Sequence, residues 1–138
     1  MGIMRKLYEI AVKSYRESLD VVWIHYSGHG TYLKDKNGDE KDGRDECLVP
    51  IDCAKSGVIP DDFISHFIRM INPMTKVITV FDCCHSGTMG DLPLNWMNYW
   101  NVNIENRHFN IPCQILSFSG CLDTQTAAEA HNITGSNK

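Results

Sequence analysis

Apolar side chains recur at intervals of three and four residues in two parts of the chain. The first part spans residues 4–19, and the second spans residues 63–71. This spacing places the apolar side chains on one face of an α-helix. Pro60 suits the first turn of the second helix, and the pair Asn72-Pro73 is expected to end it. The pattern therefore predicts two amphipathic helices.

Short apolar runs rich in β-branched and aromatic residues alternate with these helices. They cover residues 21–26, 47–51, 77–81 and 115–118, and polar or glycine-containing segments separate them. Runs of this length and composition are typical of strands. Strands that alternate with helices predict an α/β domain with a largely parallel sheet, covered by helices on both faces.

Two polar segments interrupt this alternation. Residues 34–45 are nearly all charged residues and glycine, so we expect a solvated loop or the tip of a hairpin. Residues 91–110 are rich in Asn and Trp without a clear period, which predicts a long loop with one helical turn. Loops of this length are often functional.

Composition and charge limit the classes of function. The 138 residues, 43% of them hydrophobic, are enough for one globular domain spanning residues 1–138. A net charge of −4 argues against a nucleic-acid partner. No apolar run approaches the roughly 20 residues that cross a bilayer, so no membrane partner is expected. No targeting signal is recognisable, and we expect a cytoplasmic protein.

The six cysteines predict reduced thiols rather than a disulfide framework, because the chain has a core-sized apolar fraction and no export signal. None of them forms a Cys-x-x-Cys pair, so we expect no zinc site. Nothing in the sequence indicates an organic cofactor.

Reactive side chains follow two of the predicted strands. His29, between Gly28 and Gly30, follows the first strand, and Cys84 follows the third. The carboxyl ends of parallel strands meet at one edge of a sheet. A thiolate nucleophile needs a base or cation that favours its ionised form, and His29 is the candidate base for Cys84. The glycines let a substrate approach the backbone, and the Gly30 amide is available for an oxyanion.

Cys83 is an alternative nucleophile. Adjacent residues in extended backbone point to opposite faces, so only one of Cys83 and Cys84 can meet His29, and the pattern alone does not choose between them. His85 is a rival base, but an immediate neighbour of Cys84 usually diverges from it. We therefore interpret His85 as a loop residue.

Asp82 and Ser27 complete the set of polar residues at the strand ends. If Asp82 and Cys84 share a face, and Ser27 and His29 share one too, the two exits form a pocket with a carboxylate beside the dyad. A negative pocket favours a positively charged side chain.

Four strings, HYSGHG, DGRDE, FDCCHSGT and SGCLDTQTAAEA, resemble the motifs of metacaspases, the caspase-like cysteine peptidases of the C14 group. The match runs from about residue 21 to residue 130. Four ordered motifs with compatible spacing are far more specific than any one of them. The resemblance implies a caspase-like three-layer αβα sandwich with a largely parallel central sheet.

The resemblance also implies roles for the candidate residues. Cys84 matches the nucleophile and His29 its base, with the Gly30 and Cys84 amides as oxyanion donors. The family cleaves after Arg or Lys, and Asp82 and Ser27 match residues that bind the basic side chain. The implied function is a cysteine endopeptidase acting on proteins or peptides with Arg or Lys at the cleavage site.

Many metacaspases require calcium, and the aspartates that hold it match Asp45, Asp61, Asp62 and Asp91. Oxygen ligands are the chemistry that Ca²⁺ prefers. The residues also have simpler explanations, because Asp61 and Asp62 complement the dipole at a helix start and Asp45 lies in an acidic loop. The four matches together favour a calcium activator.

The sequence departs from the family pattern at both ends. Metacaspases begin with a further strand and a Leu-x-Gly-Cys-x-x-Asp-Ala string, and they continue into a smaller carboxyl-terminal, p10-like half; neither appears here. We therefore expect the larger, p20-like half with a sheet that is incomplete at both ends. The alternative function is a truncated or partner-dependent non-catalytic module that regulates another peptidase. In either case, a separate chain is a candidate to supply the missing half.

Overall fold

The computed structural model describes residues 2–34, 44–90, 92–98, 101–104 and 110–121. Helices and strands alternate along most of this length, as the sequence predicts. In chain order the elements are α1 (Gly2–Arg16), β1 (Val21–Ser27), β2 (His29–Lys34), β3 (Arg44–Val49), α2 (Cys53–Ser56), β4 (Ile59–Pro60), α3 (Asp61–Arg69), β5 (Lys76–Asp82), β6 (Leu94–Asn98), β7 (Asn101–Ile104) and β8 (Gln114–Ser119).

The central sheet has three parallel strands in the order β1-β5-β8. Val22 lies opposite Val77, which in turn lies opposite Ile115. The predicted strands at 21–26, 77–81 and 115–118 are these three elements, so the predicted α/β class with a parallel sheet is confirmed. Because the strands run in one direction, Ser27 and Asp82 end side by side at the same edge.

Helices α1 and α3 pack against each other and against one face of this sheet. The predicted helices at 4–19 and 63–71 correspond to these elements. Their apolar faces exclude water from a single core, and each fully buried large side chain contributes about 1.5–3 kcal/mol relative to exposure. The main members of that core are Leu7, Ala11, Val22, Ile64, Phe67, Ile68, Val77 and Phe81.

Hydrogen bonds join the end of α1 to the segment between α3 and β5. The backbone N–H of Asn72 donates to Ser14 Oγ at 3.0 Å, and the Asn72 side chain donates to the Ser14 carbonyl at 3.3 Å. The Thr75 hydroxyl donates to the Leu19 carbonyl at 2.7 Å. These contacts fix the helical layer where β5 begins.

The opposite face of the central sheet carries exposed apolar side chains. Trp23 is 62% exposed, Leu116 54% and Phe118 52%. The sequence predicts helices on both faces, whereas within the described ranges α1 and α3 cover one. The burial pattern of β1 alternates, with Val22 buried between exposed neighbours, and such alternation is typical of a sheet covered on one side.

A second sheet is antiparallel, with the strand order β2-β3-β4. The sequence predicts a strand at 47–51 within the parallel sheet and places His29 beyond a strand. The parallel arrangement of this strand is wrong, because β3 pairs antiparallel with β2. His29 lies just past the end of β1, as predicted, and is also the first residue of β2, opposite Val49. The charged segment at 34–45 therefore connects a hairpin, one of its two predicted forms. Its central residues, 35–43, lie outside the described ranges.

The predicted loop at 91–110 contains a hairpin, so that prediction is also wrong. Strands β6 and β7 pair antiparallel, with Trp96 opposite Val102. Apolar and polar residues alternate at 94–96 and again at 101–104. This period of two is the strand signal that the abundance of Asn concealed. None of the helices in the described part of the chain has the length and hydropathy needed to span a membrane.

Candidate active site

The ends of the three parallel strands converge at one edge of the central sheet. The Gly28 amide donates to the Asp82 carbonyl at 3.2 Å, and the Gly120 amide donates to the Phe81 carbonyl at 2.8 Å. The Ser27 hydroxyl donates to Asp82 Oδ2 at 3.3 Å. The structure thus brings Ser27 and Asp82 together, and both side chains are exposed.

His29 and Cys84 reach the same edge from two different elements. His29 begins β2 with an exposed side chain, and Cys84 follows β5 with a partly buried one. The contact between these segments is very close at Gly30. A Cβ placed on Gly30 would overlap the carbonyl oxygen of Cys84 and would lie 3.3 Å from Cys83 Sγ. Only glycine allows the base-bearing strand to approach the cysteine-bearing loop this closely.

The two adjacent cysteines have different environments. Cys83 is fully buried, and burial is the main reason that the pKa of its thiol is raised to about 11. The neighbouring thiols of Cys121 and Cys84 raise it further. Such a group stays a neutral thiol near pH 7 and packs as a small apolar side chain. Cys84 is the more accessible of the pair.

Ser86 holds the loop that follows Cys84 against the sheet. Its fully buried hydroxyl donates to the Phe81 carbonyl at 3.2 Å, and its own carbonyl accepts a hydrogen bond of 2.5 Å from the Ser119 hydroxyl. Residue His85 adopts a positive φ of 51°, an uncommon conformation for a side chain other than glycine. The loop therefore turns sharply immediately after Cys84. Sequence reasoning did not identify Ser86, because its role depends on contacts with β8.

His85 lies against the β2–β3 hairpin. Its ring meets that of Tyr32 edge to face, with 5.3 Å between the ring centroids. The Arg44 guanidinium stacks over the Tyr32 ring, 4.3 Å from its centroid. His85 thus lies in the loop after β5, and its ring packs against Tyr32.

Tyr26 supports the backbone at His29. Its hydroxyl lies 2.9 Å from the His29 carbonyl and 3.0 Å from the Val49 carbonyl. Burial of the side chain is the main cause that raises the pKa of Tyr26. The hydroxyl therefore joins the end of β3 to the start of β2. The alternation of apolar residues in the first strand gave no signal for this role.

Comparison with known proteins identifies the family. Residues 2–93 match the family described as metacaspase, peptidase C14 domain. The chain belongs to the metacaspase family. It is 37% identical over 122 residues to Metacaspase-2 of Trypanosoma brucei brucei, covering 82% of this chain and 35% of that protein. It is 38% identical over 127 residues to Metacaspase-2 of Arabidopsis thaliana, covering 85% and 30% respectively.

A similar match to Metacaspase-1 of Meyerozyma guilliermondii, 32% identical over 167 residues, covers 84% of this chain and 41% of the relative. This metacaspase chain thus spans between 30% and 41% of the length of these relatives. Among solved structures, a protein from Geobacter sulfurreducens superposes with a TM-score of 0.60 at 22% identity. That likeness covers 91% of this chain and 53% of the other, and it supports the fold.

Three of the four aspartates predicted as calcium ligands lie in β3 and α3. Asp45 is in β3, and Asp61 and Asp62 form the first turn of α3, where the Asp62 amide donates to Asp61 Oδ1 at 2.8 Å. Asp61 is only 2% exposed. Burial is the main cause that raises the pKa of the Cys47 thiol to about 11, and the nearby carboxyl groups of Asp61 and Asp45 raise it further. Asp91 lies outside the described residues.

Glu46 adds a further buried acid to this region of the metacaspase domain. Its carboxylate accepts a hydrogen bond of 3.1 Å from the Thr88 hydroxyl, which ties β3 to the loop after Cys84. Within the ranges that the structure describes, no three His, Cys, Asp or Glu side chains are grouped closely enough to hold a metal ion. The carboxylates of Asp45 and Asp61 are nevertheless the hard oxygen donors that calcium requires.

Proposed function

We propose that this metacaspase domain is a cysteine endopeptidase that cleaves after Arg or Lys through a dyad of Cys84 and His29. His29 accepts the proton of the Cys84 thiol, and the thiolate forms a bond to the carbonyl carbon of the substrate. The amides of Gly30 and Cys84 donate to the resulting oxyanion. The leaving amine takes the proton from His29, and water hydrolyses the acyl-enzyme.

The observation that carries this proposal is the close contact at Gly30. It packs the backbone beside His29 against the carbonyl of Cys84, so the candidate base and nucleophile come from adjoining segments at one sheet edge. Rigid backbone contacts of this kind reduce the motion needed to align two reacting groups. The Tyr26 contact with the His29 carbonyl supports the same alignment.

The environment of Cys83 supports Cys84 as the nucleophile. A buried thiol with a pKa of about 11 carries little thiolate at neutral pH. Cys84 is accessible and follows the strand end where substrate would bind. These differences favour Cys84 where the sequence pattern alone left both residues open.

The pair Asp82 and Ser27 supports selection of a basic side chain. The carboxylate is exposed beside the dyad and accepts a hydrogen bond from Ser27 at 3.3 Å. Among the described residues, no Lys or Arg forms an ion pair with Asp82. Its negative charge therefore remains available to a guanidinium or ammonium group of the substrate.

Calcium is proposed as the activator, held by Asp45, Asp61 and Asp62 together with Asp91. The burial of Asp61 supports this assignment, because a bound cation would offset the cost of keeping a carboxylate away from water. Bound calcium would neutralise these carboxylates. The residues themselves would hold β3, one strand of the hairpin that carries His29, against the start of α3.

Release of a fluorophore from an arginine-ending peptide tests the proposed activity. The wild type should cleave the peptide in millimolar calcium, and a chelator should abolish this cleavage. Cys84→Ala and His29→Ala should each lower the rate at least about a thousandfold, because the thiolate and its base act as one unit. The partly buried Cys53 provides a control, since Cys53→Ala should retain the rate. Retained cleavage in Cys84→Ala would contradict the proposal.

A partner-dependent module is the second candidate, and the exposed face of the central sheet favours it. Parallel sheets are usually covered on both faces, whereas Trp23, Leu116 and Phe118 are exposed here. In this case another chain supplies the remaining half of the domain, and the chain alone is folded but inactive. Solution mass and activity, measured with and without a chain that carries that half, distinguish the two candidates.

A further inference from the structure

The exit of β8 contacts the carboxylate proposed to select the substrate. Gly120 follows the last residue of β8, and its amide donates to the Phe81 carbonyl at 2.8 Å. A Cβ placed on Gly120 would lie 3.0 Å from Asp82 Oδ1 and 3.3 Å from Asp82 Cα. The exposed Asp82 is thus flanked by Ser27 on one side and by Gly120 on the other.

We propose that Gly120 is a positioning residue for Asp82 and thereby sets the preference for a basic side chain in the substrate. The inference rests on the proposed function, because the pocket formed by Asp82 and Ser27 is itself part of that proposal. Gly120 adds the end of β8 to this pocket. The proposed mechanism assigns no role to the motif Ser-Gly-Cys at residues 119–121. The contact with Asp82 gives its glycine a role.

The two oxygens of Asp82 are constrained in different ways. Oδ2 accepts a hydrogen bond from the Ser27 hydroxyl, and Oδ1 faces the unsubstituted Cα of Gly120. A contact of 3.0 Å is shorter than a Cβ normally makes, so an added methyl group must displace its neighbour. The other two nearest atoms, Asp82 Cα at 3.3 Å and the Phe81 carbonyl oxygen at 3.4 Å, belong to the backbone and are less crowded than Oδ1. The backbone hydrogen bond of Gly120 to Phe81 opposes movement of β8, so the carboxylate is the group expected to turn away.

Rotation of this carboxylate affects recognition rather than the core. Asp82 is exposed, so turning it breaks no apolar packing. It does change the direction of the acceptor oxygens, and charge-assisted hydrogen bonds to a guanidinium group depend on that geometry. Gly120→Ala should therefore weaken binding of a basic side chain, while the attack by Cys84 uses atoms that Gly120 does not contact.

The test is covalent labelling of the full chain with two chloromethyl ketones, one of arginine and one of its uncharged analogue citrulline. Cys84 Sγ forms a bond to the methylene carbon and chloride leaves, so one cycle of reaction reports both pocket and nucleophile. Mass spectrometry gives the rate constant for each reagent. The ratio of the two rate constants measures the preference for a positive charge.

The wild type should react faster with the arginine reagent. In Gly120→Ala the ratio should fall about tenfold, the lower end for loss of a charged hydrogen bond, mainly through weaker reversible binding of the arginine reagent. Gly2→Ala is the matched control, because a Cβ at Gly2 meets nothing within 4 Å, and its ratio should equal that of the wild type. In Asp82→Ala, adding Gly120→Ala should change the ratio no further.

The outcomes separate the two claims. A wild type that labels Cys84 without preferring arginine contradicts the proposed pocket, and with it the inference. A wild type that prefers arginine together with an unchanged ratio in Gly120→Ala contradicts the inference alone.

Folding of each variant is checked by thermal unfolding. If Gly120→Ala does not fold, the variant with both Asp82→Ala and Gly120→Ala decides. Recovery of folding in that variant locates the clash at the carboxylate, as proposed. Failure of both variants to fold shows that Gly120 supports the backbone instead, which overturns the inference.

Discussion

At the scale of single residues, the site depends on contacts that leave no room for a side chain. Gly30 contacts the Cys84 carbonyl, and Gly120 contacts Asp82. The sequence places His29, Cys84, Ser27 and Asp82 correctly at strand ends, because their positions follow from where apolar runs stop. Contacts between strands that are distant in sequence, such as that of Gly120 with Asp82, leave no periodic pattern in the sequence. They can be identified only from the folded structure.

Gly30→Ala is the most disruptive small substitution expected at the site. The added Cβ overlaps a backbone atom of Cys84, so either β2 or the loop after β5 must shift. A displacement of about 1 Å between reacting groups can lower a rate about a hundredfold. We expect a loss of that size in peptide cleavage, together with a lower unfolding temperature. Gly2→Ala controls for the substitution itself, and an active Gly30→Ala variant would show that this contact does not align the dyad.

At the scale of elements, the parallel strands, the two long helices and a hairpin tip at 34–45 as one of two forms were predictable, whereas the start of β2 and the β6–β7 hairpin were not. Strands β1, β5 and β8 are rich in apolar residues, and α1 and α3 have a clear helical period. Strand β2 follows β1 after a single residue, Gly28, so the two strands read as one strand and a polar tail. The β6–β7 hairpin has a period of two, but its many Asn residues resemble those of a loop.

The junction of β3 and α3 is where the proposed binding of calcium can be tested at the scale of elements. Added calcium should raise the unfolding temperature of the wild type by several degrees, since a ligand at 100 times its Kd stabilises by about 2.7 kcal/mol. Asp61→Asn should reduce this shift, because it removes a charge from the proposed ligand set. Asp20→Asn is the matched control, because Asp20 precedes β1 and is not among the proposed calcium ligands. This variant should keep the full shift in unfolding temperature. Equal shifts in both variants would exclude Asp61 as a ligand.

At the scale of the whole molecule, the central sheet has one packed and one exposed face. The packed face accounts for the single core, whereas Trp23, Leu116 and Phe118 remain accessible on the other. The sequence could not predict this difference, because both faces of β1 and β8 carry apolar side chains. The family relatives are longer than this chain. The second candidate function predicts that another chain covers the exposed face.

The exposed face should bind apolar dyes. We expect the fluorescence of 8-anilinonaphthalene-1-sulfonate to increase with the folded wild type and to fall in Leu116→Lys, which places a charge in the middle of the face. Tyr8→Lys is the control, since Tyr8 is similarly exposed but lies on α1. An equal decrease in both variants would show that the dye binds elsewhere.

The central claim, that His29 activates Cys84, is tested most directly by the pH dependence of thiol alkylation. At neutral pH iodoacetamide should label wild-type Cys84 rapidly, and His29→Ala should lower this rate about tenfold or more, because the thiol loses its candidate base. Cys83 is the internal reference. With its pKa raised to about 11, it resists ionisation, so its labelling should increase only as the pH rises toward that value.

At pH 8 about one Cys83 side chain in a thousand would be a thiolate, so Cys84 should react first. Rapid labelling of Cys84 that depends on His29 is the result that the proposed dyad predicts. Faster labelling of Cys83, or a Cys84 rate that His29→Ala leaves unchanged, would contradict it.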